Sequence, residues 1–245
     1  MCGRICIDRK DDRALRISTI VARGPQAAQP VDTMSPALTS TIGQDDLRDY
    51  FLTLSDLLCR VEVTSQGGQR LEFADAATAL MGRARTTHAA GNKLIFVGNG
   101  GSAAIASHMA TDYSKNGDVR AMALNDTSML TCLGNDLGYD RVFAKQLELY
   151  ARPDDLVIAI SSSGRSANIL NAVKAARAAK CAVVTFSGFT ADNPLRRLGD
   201  INFYVASDRY GFVEIGHLTI CHAILDFICG LRVPEGMLPA GATAA

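Results

Sequence analysis

The sequence predicts an α/β fold: a three-layer sandwich around a five-stranded parallel sheet, preceded by two N-terminal helices. Two observations carry this. After Gly91, short apolar runs punctuated by glycines alternate with stretches of helical period, the pattern of strands joined by crossover helices. Before it, apolar residues recur at spacings of three and four, the stripe of an amphipathic helix.

Residues 1–41 have no amphipathic period and collect Pro25, Pro30 and Pro36. They read as a disordered extension, neither signal peptide nor anchor, because no apolar segment follows the early basic residues. Leu47, Tyr50, Phe51, Leu54, Leu57, Leu58 and Val61 then predict a helix over residues 44–63, and a second spans 73–89. Their expected role is packing against the core or another subunit. Candidate strands follow at 93–97, 120–123, 156–160, 182–186 and 202–205. The helices between and after them are expected at 102–114, 128–135, 141–150, 166–179, 193–198 and 210–231. Residues 42–233 thus make one domain, and the Gly, Pro and Ala-rich residues 234–245 a flexible tail.

Composition narrows the function. Lys plus Arg equals Asp plus Glu at 25 each, so no net field favours nucleic acid or an anionic membrane. No apolar run reaches the roughly 18 residues a membrane span requires, and a cytoplasmic protein is expected. The seven scattered cysteines read as reduced and buried. Cys2 and Cys6 lack the second Cys or His pair of a zinc knuckle.

In a parallel sheet, ligands bind beyond the carboxyl ends of the strands near the point where strand order reverses. Two of the loops there are unusual. The first, Gly98-Asn99-Gly100-Gly101-Ser102, opens a helix whose first amides point at whatever anion sits there. Gly98, Gly100 and Ala103 also meet a loose dinucleotide fingerprint, whose acidic residue comes late, at Asp126. The second, Ser161-Ser162-Ser163-Gly164-Arg165-Ser166, offers four hydroxyls and free helix-start amides, with Asn168 early in the next helix. Ser166 alone reads as a helix cap; the two loops together point to a phosphoryl group.

These two loops, the Asn135-Asp136 pair before Gly138, and a last helix with paired histidines resemble the sugar isomerase (SIS) family, and within it the phosphoheptose isomerases. The likeness covers roughly residues 47–227. It implies isomerisation of sedoheptulose 7-phosphate to D-glycero-D-manno-heptose 7-phosphate, in a homotetramer with sites between subunits. It further implies that Asn99, Gly100, Gly101 and Ser102 touch sugar hydroxyls, Asn135 and Asp136 the substrate chain, and Ser161, Ser162, Ser163 and Ser166 the phosphate.

His108 and Asp112 are four apart on one helix, and Glu214 and His222 eight apart on another, with His217 between them. The first pair shares a helical face, the second is a little over two turns apart, and two imidazoles with two carboxylates suit zinc. In the resembled family the matching positions are His, Glu, Gln and His; they hold zinc while the Glu and the last His shuttle protons. Here Asp112 and Glu214 replace that Glu and Gln. Asp112 is expected as the base at one carbon and His222 as acid or base at the other, with His108, Asp112, Glu214 and His222 around the zinc. His217 is either a supporting partner or core packing, and His88 is assigned to the surface.

Two other readings stay open. Residues 186–195 differ from the loop expected of the family, so another phosphosugar is an alternative substrate. A non-catalytic SIS protein that binds a partner or senses a sugar phosphate is the other. No basic DNA-binding helical module accompanies the chain, and the His and carboxylate set has no evident use in a pure binding module. A Schiff-base lyase ranks last, since Lys93, Lys115, Lys145 and Lys174 lie at a strand start or on helices and their ends.

Overall fold

The computed structural model describes residues 42–231. Helix α1 (Gln44–Cys59) leads into a hairpin of β1 (Glu62–Ser65) and β2 (Arg70–Leu71), and α2 (Phe73–Ala89) follows. Then come β3 (Leu94–Gly98), α3 (Gly101–Lys115), β4 (Ala121–Ala123), α4 (Thr127–Leu137) and α5 (Val142–Tyr150). The chain continues through β5 (Leu156–Ser161), α6 (Ala167–Ala178), β6 (Ala182–Ser187), β7 (Ile201–Tyr204) and α7 (Tyr210–Ile228).

The five expected strands all form and run parallel as β4, β3, β5, β6 and β7. The sheet is nonetheless mixed and has seven strands, because β1 joins β7 antiparallel and β2 joins β1. The expected first helix therefore runs too far: it ends at Cys59, and Val63 pairs with Phe203 instead. Val61, Val63 and Thr64 are β-branched, and such side chains fit a pleated surface better than a helix. Ser65 donates its amide to Gln69 at 2.8 Å, and Gly68 donates to Ser65 at 2.8 Å, closing the hairpin. The helix expected at 193–198 is a short 3₁₀ turn, Pro194–Arg197, with Asn193 accepting the Arg196 amide.

Alternation along the strands assigns a helix layer to each face. Leu94 and Phe96 enter one cluster with Leu80 of α2, Met109 and Tyr113 of α3, and Ile220 and Ile224 of α7. Ile95 and Val97 enter the other with Phe143 and Leu147 of α5 and Ile169 and Val173 of α6. By length and composition α7 could cross a membrane, but Val213, His217, Ile220, Cys221 and Ile224 are buried in the protein core. None of α1 is buried; its Tyr50 ring lies 4.5 Å from that of Phe212.

Chain order reverses between β3 and β5, because β3 is followed by β4 on one side and β5 by β6 on the other. Gly98 sits opposite Ile160 in this pair, so the two unusual loops leave adjacent strand ends side by side.

Of the cysteines, Cys181 and Cys221 are buried as expected, but Cys59, Cys132 and Cys229 are exposed, and all five are free. Cys2, Cys6 and the predicted extension and tail lie outside the described residues. His88 lies at the surface as expected, partly exposed and accepting the Arg120 amide on Nδ1 at 3.1 Å. Asp126 caps α4 by accepting the Met129 amide at 2.8 Å.

Candidate active site

Asn99, Gly100, Gly101, Ser102, Ser161, Ser162, Ser163, Ser166 and Glu214 line one cavity of about 230 Å³, together with Ile160 and Tyr210. Local chemistry explains its shape. Gly100 takes φ +52° to turn the chain into α3, and Gly164 takes φ +61° in the serine loop, conformations that glycine adopts without a steric penalty. A β-carbon on Gly164 would fall inside the Asn193 side chain, and one on Gly101 inside the Glu214 carboxylate. Ser161 Oγ donates to Ser166 Oγ at 3.3 Å, and Ser163 Oγ accepts the Arg165 amide at 3.3 Å. Ser162 is 5% exposed, and among the described residues its hydroxyl has no partner. The amino ends of α3 and α6 both open here, each offering amides without an intrahelical acceptor.

A reciprocal amide pair ties the loops together. Asn99 Nδ2 donates to Asn168 Oδ1 at 2.9 Å, and Asn168 Nδ2 donates to Asn99 Oδ1 at 2.8 Å. Tyr139 adds its hydroxyl to Asn99 Oδ1 at 3.1 Å.

Away from the cavity, α3 and α7 run side by side in the same direction. Gly101 meets Glu214 near their first turns, and further along His108 Nε2 lies 3.1 Å from His222 Nε2. Asp112 Oδ2 is 3.5 Å from His108 Nε2 and 4.0 Å from His222 Nδ1. Candidate ligand atoms of these three residues lie within 4.8 Å of one another. Ligand atoms in a tetrahedral zinc site with bonds near 2.1 Å stand roughly 3.4 Å apart, so two imidazoles and one carboxylate at these spacings fit zinc with a position left open. Glu214 is not in this group. Eight residues before His222, it sits about 12 Å back along the helix and lines the cavity instead.

His217 is fully buried. Its Nε2 lies 3.0 Å from the Ser187 carbonyl oxygen, and its ring meets Phe186 edge-on at 5.7 Å. Burial lowers its pKa to about 4, a shift the Ser187 contact only partly opposes. Nδ1 has no partner among the described residues. His217 is thus a neutral core imidazole.

Asn135 and Asp136 stand apart from the cavity. Both are exposed near the end of α4, with Asn135 Nδ2 donating to Asp136 Oδ1 at 2.8 Å. Their segment reaches the loops through Tyr139, which sequence reasoning passed over, as it did Tyr210 on the cavity rim. Only the adjoining Gly138 pointed toward Tyr139; Tyr210 carried no signal beyond its place at a helix start. Lys93 is held by the buried Asp155 at 2.7 Å, at the opposite end of the strands from the cavity.

Residues 49–188 match the SIS domain family. The phosphoheptose isomerase of Solidesulfovibrio magneticus is 40% identical over 165 residues, covering 64% of this chain and 80% of that protein. The solved phosphoheptose isomerase GmhA of Neisseria gonorrhoeae superposes with a TM-score of 0.65 at 28% identity, over 76% of this chain and 98% of that one. That of Francisella tularensis gives 0.67 at 26% identity, over 78% of this chain and 100% of that one.

Proposed function

Because this chain belongs to the SIS-domain family and to the phosphoheptose isomerases within it, we propose that it interconverts sedoheptulose 7-phosphate and D-glycero-D-manno-heptose 7-phosphate. The observation that carries this reading is the pairing of a serine-lined, glycine-rich cavity with a His108, Asp112 and His222 cluster on the same two helices.

The phosphoryl group sits among Ser161, Ser162, Ser163 and Ser166, where hydroxyls and the first amides of α6 supply donors. Asn99, Gly100, Gly101 and Ser102 take sugar hydroxyls. Asp112 faces the histidines through Oδ2, and its other oxygen removes the proton from one of the two reacting carbons. His222 gives a proton to the carbonyl oxygen, which forms the enediol. Return of the carbon proton to the neighbouring carbon, with loss of the hydroxyl proton to His222, leaves an isomer and an unchanged enzyme. His108, Asp112 and His222 would hold zinc, which when bound polarises the carbonyl and its neighbouring hydroxyl.

The working assembly is a homotetramer. This is supported by α1, which buries no residue and leaves Phe51 63% and Leu52 56% exposed. Free cysteines at all five described positions suit a reducing cytoplasm.

The test is incubation of the purified chain with sedoheptulose 7-phosphate in deuterated water, with and without chelator and added zinc. Turnover with deuterium at the carbon beside the carbonyl, lost in Asp112→Asn and His222→Gln, is the expected result. Bound substrate with neither turnover nor exchange in any metal state would overturn it.

A further inference from the structure

The cavity carries a conflict of charge. Two helix amino ends converge on it, α3 and α6, and each attracts an anion. A glycine-rich turn that opens a helix is also the cradle a pyrophosphoryl group uses, and the first loop meets the loose dinucleotide pattern. Yet none of the cavity's lining residues is a Lys, Arg or His, and one is a carboxylate, Glu214. That carboxylate lies against Gly101, the first residue of α3, where a β-carbon would otherwise stand. At the other helix, the buried Ser162 hydroxyl lines the cavity with no partner among the described residues.

We infer that Glu214 is a specificity residue: its negative charge, standing beside the first residue of α3, restricts the cavity to one phosphoryl group. Sugar monophosphates are admitted, and pyrophosphoryl ligands such as nucleoside diphosphates are turned away. The inference rests on the phosphate reading above and deepens it. A second phosphoryl group beside the first would have to share space with a like charge, and at an effective dielectric near about 20 that repulsion exceeds tenfold in affinity.

The test is calorimetric titration of the full chain with inorganic phosphate, pyrophosphate and sedoheptulose 7-phosphate, for the wild type, Glu214→Gln and Glu214→Asp. The wild type is expected to bind pyrophosphate at least tenfold more weakly than phosphate. Glu214→Gln, equal in size and uncharged, narrows or reverses that ratio by tenfold or more, while Glu214→Asp keeps it. Equal wild-type affinities for the two ions, or a ratio unchanged within twofold in Glu214→Gln, would overturn the inference and leave the phosphate reading standing. Failure of the wild type to bind either phosphate or sedoheptulose 7-phosphate would overturn both.

Discussion

His217 offers a test of the fold that does not depend on any substrate. Folded, it stays neutral down to about pH 4 because burial penalises its charge; its ordinary pKa is 6.5. Between those values the unfolded chain binds a proton that the native state refuses, so stability falls as pH falls. The contribution is intact above about pH 6.5, declines through the window and is fully lost below about pH 4. At roughly 1.4 kcal/mol per tenfold in proton affinity, the loss is about 3 kcal/mol. Urea unfolding at closely spaced pH values, for the wild type and His217→Gln, isolates it from the carboxylates that titrate in both. The variant is expected to start less stable and to lose about 3 kcal/mol less on going from pH 7 to pH 4. Parallel curves would show that the imidazole is not held neutral and would sink the reasoning.

Three further outcomes follow from the site. Ser162→Ala removes a buried hydroxyl that has no partner among the described residues, so the melting temperature should hold or rise while KM for the phosphosugar rises about tenfold; an unchanged KM would remove Ser162 from the phosphate. Gly164→Ala combines strain at φ +61° with displacement of the buried Asn193, which holds the Gly188 and Thr190 carbonyls. A stability loss of about 2 to 4 kcal/mol in urea is expected, and a wild-type midpoint would refute the packing argument. Added zinc should raise the melting temperature of the wild type by several degrees and chelation should reverse it. Asp112→Asn should blunt that response; an undiminished one would place the metal elsewhere.

The centre of the parallel sheet and its two loops were legible because β3, β5 and β6 are runs of β-branched and apolar residues ending at glycine or serine. The hairpin was not. With four and two residues, β1 and β2 are too short to show alternation, and Val61 continues the spacing of the preceding helix. The site was half legible in the same way. Spacing put Glu214 and His222 a little over two turns apart on α7, and the expectation of a shared metal overlooked that distance along the axis. The rise of the helix carries Glu214 to the cavity and His222 to the cluster. Asn99 and Asn168 could not be paired in advance, since 69 residues separate them and only the register of β3 on β5 brings their loops together.

That amide pair has a thermodynamic consequence. Two loops from different strands are latched before any ligand arrives, so association does not have to freeze them. Ordering a loop on binding subtracts from affinity, and here that subtraction was made when the chain folded. Binding to such a site should release heat with little entropic penalty from the backbone. The wild-type titrations with phosphate already carry the answer in their temperature dependence: a heat-capacity change no larger than the buried surface requires means a rigid receptor, and a larger one means loops that close around their guest.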